Sequence, residues 1–362
     1  MTERIFNFSS GPAVLPLPVL ERAQEEIISF RGTGMSLMEM SHRSGAFGEV
    51  LHDAEMGLRA LLGVPENYQV LFLQGGATLQ FSMVPLNFLG KDKTADYILT
   101  GAWGKKAITD AERCGNVRTV YSSEADGFRV VPRQEELDFS PDAAYVHYTS
   151  NETIDGVEFH YDLDAGGIPI VCDASSNILS KPIDIKKYSL LYAGAQKNIG
   201  PSGVTVVIIS DEMLDRTARK QPRALDYRIF AENDSMPNTP NTWGIYIISL
   251  VCEWLLNEGG LPVIARRNHE KAQYLYNAID RSDGFYARHA ATEARSRMNV
   301  TFRLRDSGLE ENFCAEAASQ GMDGLKGHRS VGGIRASIYN AFPVEGVRAL
   351  VEFMDDFAAG NG

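Results

Sequence analysis

The sequence predicts an α/β protein built on a largely parallel sheet, with a smaller α+β region after it. Three observations carry that reading. Short β-branched runs alternate with amphipathic segments, as βαβ units require. The chain is 362 residues long, enough for two hydrophobic cores. Its character changes after "RRNHEKAQYLYNAIDRS", where long helical patterns give way to strands and helices in alternation, and the boundary is set near residue 265.

The elements follow in chain order. "FGEVLHDAEMGLRALLG" has the spacing of an amphipathic helix and precedes the first strand, "QVLFL". The helical segment "TLQFSMVPLNFLG", the strand "ADYILT" and the helical segment "GKKAITDAERCG" come next. Four further strands are read in "AAYVHYTS", "IPIVCDAS", "SLLYAGA" and "GVTVVIIS". A long helix, "TWGIYIISLVCEWLLNEGG", closes this region. Beyond "RRNHEKAQYLYNAIDRS" lie the strand "MNVTFRLR", a helix and the strand "GIRASIYN". The last helix places Val344, Val347, Val351, Met354 and Phe357 on one face.

Composition limits the partners. With 35 Lys and Arg against 47 Asp and Glu the net charge is -12, which argues against non-specific binding to nucleic acid or an anionic membrane. An anionic ligand must then be caught by a local cationic cluster. Cys114, Cys172, Cys252 and Cys314 form no CxxC pair, so neither a zinc site nor a disulfide framework is expected, and a reducing cytoplasm fits. The amino-terminal "MTERIFNFSSGPAVLP" lacks an apolar h-region, and no stretch has the unbroken apolar length of a membrane span.

Three features fall at strand ends, where open α/β sheets bind ligands. In "VLFLQGGATLQF" a strand runs through Gly75-Gly76 into a helix start, a geometry that suits a phosphate, though taken alone a tight strand-to-helix turn explains it better. It is neither GxGxxG nor GxxxxGK[ST], so a dinucleotide or nucleoside triphosphate is unsupported. Asp173 ends the apolar strand of "IPIVCDASSN", where a buried carboxylate needs a partner or a capping duty. Lys197 follows 24 residues later in "LLYAGAQKNIGPSG", a spacing that suits a neighbouring strand. A lysine held among apolar strands has its ammonium form destabilised and becomes a nucleophilic amine. An anchor, an acid and a reactive lysine are together the parts pyridoxal phosphate needs: the acid keeps the pyridine nitrogen protonated and the lysine tethers the aldehyde. Trp103, in "TGAWGKKA", is the candidate to cover the ring.

The segments "FNFSSGPAVLP", "MEMSHRSGAF", "LFLQGGATLQFSMVPLN", "HYTSNETIDG", "YAGAQKNIGPSG", "MPNTPNTW" and "LKGHRSVGGIRASIYNA" resemble the phosphoserine aminotransferase family from end to end. The resemblance implies a fold-type-I pyridoxal-phosphate transferase of class V. Its large domain, with a mostly parallel seven-stranded sheet, would span 16–265. The small domain would span 266–362, with 1–15 packing near it. It implies amino transfer between L-glutamate and 3-phosphohydroxypyruvate, giving O-phospho-L-serine and 2-oxoglutarate in serine biosynthesis; in some bacteria the family also acts on a phosphorylated hydroxythreonine in pyridoxine biosynthesis. A cytoplasmic homodimer with shared active sites is expected.

By matching motif, Lys197 is the Schiff-base lysine, Asp173 the pyridinium partner, Trp103 the stacking ring and Thr153 the partner of the phenolic oxygen. Gly76, Ala77 and Gln196 face the phosphate, with Asn238 and Thr239 reaching in from a second subunit. Arg335 matches the arginine for the α-carboxylate. His42 and Arg43, with His328 and Arg329, match the group that receives the substrate's phosphate or the glutamate γ-carboxylate. Arginine suits both anions because its paired N–H groups grip them. No metal is expected. Some members carry an arginine after the glycine pair where this chain has Ala77 and Thr78, which shifts the phosphate toward backbone amides and the Thr78 hydroxyl. An alanine–glyoxylate or serine–glyoxylate aminotransferase would share Lys197 and Asp173 but has no use for two HR loops. A hydrolase would need GxSxG, which "IGPSG" does not supply.

Overall fold

The computed structural model describes residues 4–217 and 220–361, so residues 1–3 of the expected amino-terminal segment and Gly362 lie outside it. The chain runs β1 (Phe6–Asn7), α1 (Leu17–Glu26), α2 (Gly45–Leu62), β2 (Tyr68–Leu73), α3 (Gly76–Phe88), β3 (Thr94–Leu99), α4 (Ala102–Ala111) and β4 (Asn116–Ser122). It continues through β5 (Val146–Thr149), β6 (Asn151–Glu152), β7 (Val157–Glu158), β8 (Ile170–Asp173), β9 (Leu190–Gly194), β10 (Thr205–Ser210), α5 (Asp211–Asp215), α6 (Tyr227–Glu232), α7 (Thr242–Asn257) and α8 (Gly260–Asp280). The last part holds β11 (Tyr286–Arg288), β12 (Asn299–Leu304), α9 (Glu310–Ser319), β13 (Met322–Asp323), β14 (Ile334–Ser337) and α10 (Val344–Asn361).

The main sheet has seven strands in the order β2-β10-β9-β8-β5-β3-β4. β10 is antiparallel to both neighbours and the remaining pairs are parallel. β8, β9 and β10 are buried along their whole length, which their almost unbroken apolar sequences permit because helices cover both faces. One face, with Phe72, Tyr148, Cys172 and Leu191, packs on Phe47 and Val50 of α2 and Ile248 of α7. The other, with Leu71, Tyr97, Val171 and Tyr192, packs on Phe81 of α3 and Ile108 of α4. Asp173 pairs in register with Tyr192, so its side chain rises from the face that α3 and α4 cover.

The seventh strand, β4, is the one whose residues the sequence leaves unassigned. It lies at the sheet edge, and all its residues are exposed or half-buried, so it lacks the apolar run that marks a central strand.

β11, β12 and β14 form a separate antiparallel sheet. It packs on α8, α9 and α10 through Leu275, Phe302, Phe313, Leu350, Phe353 and Met354. Parallel pairing of β1 with β13 carries Phe8 into this same core. The buried face of α10 is Val347, Leu350, Phe353, Met354 and Phe357, while Val344 and Val351 of the expected stripe are only half-buried. The apolar face is thus turned by about one residue from the sequence reading. Residue 265 falls inside α8, which both cores share: Leu261 and Ile264 belong to the first, and Ala272, Leu275 and Ile279 to the second. α7 and α8 meet at 85° across Gly259, whose φ of 100° suits glycine. Among the described residues no single helix is long and apolar enough to cross a membrane.

Candidate active site

Lys197 stands in the turn between β9 and the antiparallel β10, where the chain must reverse over the carboxyl end of the sheet. Its Nζ donates to Thr153 Oγ1 at 2.6 Å and lies 5.2 Å from the centre of the Trp103 ring. Burial lowers its pKa to about 8, against the carboxylates of Asp173 and Glu152, which favour the charged form. Near neutral pH about a tenth is then free amine, far more than for a surface lysine, and this is the state a nucleophilic lysine needs. Gly11 backs the lysine on its other side, since a Cβ there would come within 3.2 Å of Lys197 Cγ.

Asp173 ends β8, buried, with Oδ1 accepting from the Ser175 N–H at 2.9 Å. Burial raises its pKa, while the positive charge of Lys197 and the bonds from Ser175 hold it down. Such a carboxylate is poised for a cationic partner on the α3 and α4 face.

Gly75 and Gly76 open α3 with φ of 93° and 65°, left-handed values that favour glycine. No side chain caps this helix, so its first N–H groups, among them those of Gly76 and Ala77, are left for an anion. A Cβ on Gly76 would meet nothing within 4 Å, so the turn faces open space. Gln196, half-buried, adjoins Lys197. Trp103 sits in the first turn of α4 with its indole Nε1 buried and without a partner.

Arg335 projects from β14, buried, with Nη2 donating to Ser10 Oγ at 2.7 Å and Nε unpartnered. It lines a cavity of about 310 Å³ together with Asp155, His289, Arg303 and His328. Burial lowers the pKa of His328, and the charges of Arg335, Lys106 and Arg329 push it the same way. Lys197, Asp173, Trp103 and Thr153 therefore converge, and the charge of Arg335 acts on the same lysine.

Other expected residues stand apart within one chain. Arg329 is exposed and lines a larger neighbouring recess with Lys326 and His328. The Arg43 Nε donates to His42 at 3.4 Å, and among the described residues no hydrogen bond or ion pair joins either to the Lys197 cluster. Asn238 and Thr239 are exposed; Asn238 donates to Gln74 of its own chain at 3.4 Å, next to the glycine turn.

Sequence reasoning missed four neighbours: Ser10, Lys106, Glu152 and Asp155. Ser10 lies in the quoted segment "FNFSSGPAVLP", and both acids lie in "HYTSNETIDG", so the motifs held them without showing their contacts. Lys106 stands one turn beyond Trp103, its Nζ 4.0 Å from the ring centre.

A fold of this topology, with a strand-end lysine facing an aspartate and an open glycine turn, defines the class of fold-type-I pyridoxal-phosphate-dependent transaminases. Residues 5–350 match the family described as Aminotransferase class-V. A phosphoserine aminotransferase of Chromobacterium violaceum is 52% identical over 360 residues, 99% of each chain. The solved phosphoserine aminotransferase from Bacillus circulans subsp. alkalophilus superposes with a TM-score of 0.98 at 47% identity, covering 100% of both chains. The PLP-bound phosphoserine aminotransferase from Trichomonas vaginalis gives 0.92 at 42% identity, covering 97% of this chain and 100% of that one. The chain belongs to the class-V aminotransferases and, within them, to the phosphoserine aminotransferase family.

Proposed function

We propose that this chain exchanges an amino group between L-glutamate and 3-phosphohydroxypyruvate, with pyridoxal phosphate held at Lys197. The observation that carries the reading is the Lys197–Thr153 contact at 2.6 Å beside buried Asp173, with buried Arg335 also acting on the charge of that lysine. The residues present fit the cofactor: an uncapped helix start over open space for its phosphate, a buried carboxylate for its ring nitrogen, and an amine for its aldehyde. Bound there, it supplies an electron sink for bond breaking at the substrate's Cα.

The chain's own groups do the rest. Gly76 and Ala77 N–H groups, Gln196 and the Thr78 hydroxyl would hold the phosphate, Asp173 the ring nitrogen, Thr153 the phenolic oxygen and Trp103 the ring face. The Lys197 Nζ carries a proton to and from Cα, for which a pKa near 8 is suitable. Arg335 grips the α-carboxylate; His328 and Arg329, with His42 and Arg43, receive the distal phosphate or γ-carboxylate. Among these, Arg335 and His328 line one cavity, while the two HR loops supply cations from separate parts of the chain.

The reading includes a homodimer, to which Asn238 and Thr239 of each subunit contribute across the boundary. What supports it is an apolar surface in the segment 27–43: Ile28 is 82% exposed and Met38 55%, with Ile27 and Met35 also exposed, a run that a second copy would cover. The cytoplasmic assignment rests on the four cysteines, with no disulfide among the described residues. The division at residue 265 is kept as a functional one, the small region carrying Arg335 against the lysine.

The test is an absorbance spectrum of the protein with pyridoxal phosphate, before and after O-phospho-L-serine, with L-alanine and L-serine as controls. Conversion to the pyridoxamine form by phosphoserine alone is expected. A coloured protein that responds to alanine and ignores phosphoserine would overturn the substrate assignment. Activity that persists through full dissociation on dilution would overturn the shared site.

A further inference from the structure

The first N–H groups of a helix have no partner inside it. At α4 three of them are taken by two acids from the stretch that joins β6 to β7. Asp155 Oδ2 accepts from Ala102 N–H at 3.0 Å, and Glu152 takes Trp103 N–H on Oε2 at 2.9 Å and Gly104 N–H on Oε1 at 2.7 Å. Glu152 is 0% and Asp155 4% exposed. Gly101, just before the helix, is packed against both: a Cβ there would lie 2.5 Å from Glu152 Cδ and 2.6 Å from Asp155 Oδ2. The carboxyls themselves therefore require glycine at that position.

Capping needs only one short side chain, and two buried acids side by side repel each other. What the pair adds is geometry, because a carboxylate bonded through both oxygens fixes the first turn in rotation as well as in position. That turn carries Trp103, whose indole N–H has no partner and whose nearest ring, Phe81, is 6.5 Å away. Between the two acids Thr153 accepts from Lys197, so four consecutive residues fix both the lysine and the tryptophan.

We propose that Glu152 and Asp155 are positioning residues that set the plane of the Trp103 indole beside Lys197, where the cofactor ring would lie. The inference rests on the reading of Trp103 as the stacking group. Its test is a double-mutant cycle on the dissociation constant of pyridoxal phosphate from the cofactor-depleted full chain, read by the visible circular dichroism of the bound cofactor. W103A and E152A should each weaken binding about tenfold, the size of a lost aromatic contact. The double variant should match W103A to within about twofold, since Glu152 then has nothing left to position. E152Q keeps one acceptor but turns its NH2 toward the second backbone N–H, so it should recover only part of the affinity and of the dichroic signal.

Multiplied losses in the double variant would overturn the inference while leaving Trp103 in place, because Glu152 would then be acting on folding or charge instead. An unchanged affinity in W103A would remove Trp103 from the site and the inference with it. If E152A yields no folded protein, E152D and D155A, which withdraw the acceptors from the helix start, run the same cycle, and additivity there has the same meaning.

Discussion

Two lysines of this chain have pKa values lowered by burial, Lys271 fully buried and Lys197 half-buried, and they have opposite fates. Lys271, on α8 between the two cores, is 3% exposed and donates to three carbonyls: Ile338 O at 3.0 Å, Tyr339 O at 2.6 Å and Phe342 O at 3.1 Å. Lys197 donates to one hydroxyl and faces a cavity-bearing cleft. Burial lowers both, Lys271 to about 7 and Lys197 to about 8. A depressed pKa is therefore not what separates the reactive lysine from the structural one. An ammonium has three N–H bonds to give. Lys271 has given all three to backbone that must stay where it is, while Lys197 keeps capacity for a new bond. The acids differ too, for Asp173 and Glu152 act on Lys197 whereas the charge acting on Lys271 is that of Arg267.

The largest test of this contrast is the pair K197A and K271M. K197A should lower amino transfer by at least about 10³-fold, the range of a lost acid–base group, measured in single-turnover spectra with phosphoserine. Folded K271M should keep its turnover within about threefold. The stability effect should run the other way: K271M leaves three buried carbonyls without their donor and should lose about 3 kcal/mol in denaturant titration. Turnover loss in K271M at full stability would break the comparison.

A third buried cation, Arg335, stands between the two cases, with Nη2 bonded to Ser10 and Nε unpartnered. R335A should reduce kcat/KM about 10²-fold for glutamate and for phosphoserine alike, as expected for a lost charge-assisted pair. Unchanged glutamate kinetics would remove it from the α-carboxylate.

The last test is on pH. With a folded pKa near 8 and an unfolded one of 10.5, Lys197 binds fewer protons folded than unfolded between those values. The cofactor-free protein should then gain stability as pH rises through that window, and K197M should lack the Lys197 share of this gain while keeping that of Lys271. An amine-acylating reagent should label Lys197 half-maximally near pH 8, with Lys271 protected at every pH. Labelling of Lys197 only near the pH of surface lysines would show that its burial does not lower it.

The sequence was legible where chemistry and pattern coincide. β8, β9 and β10 are apolar runs because both faces are covered, and Asp173 and Lys197 close two of them on adjacent strands. It was illegible where a residue's role depends on what the chain brings back to it. β4 alternates weakly because its edge is half in water. Glu152 and Asp155 look like hairpin polarity until α4 arrives, and Lys271 sits in "RRNHEKAQY" like any solvated helical lysine. Arg335 could be named, but its bond to Ser10 joins positions 325 residues apart, which no local pattern encodes.

α8 has a mechanical consequence. Its 21 residues make a rod of about 30 Å, seated at one end in the first core. Through Lys271 it is pinned to the segment that leaves β14, the strand of Arg335. A swing of about 5° at Gly259 would move the far end of a 30 Å rod by about 2.6 Å and Lys271, about 18 Å along it, by about 1.6 Å. A tilt too small to disturb the packing at that end would thus be magnified along the helix, and Arg335 would travel with the segment that Lys271 holds.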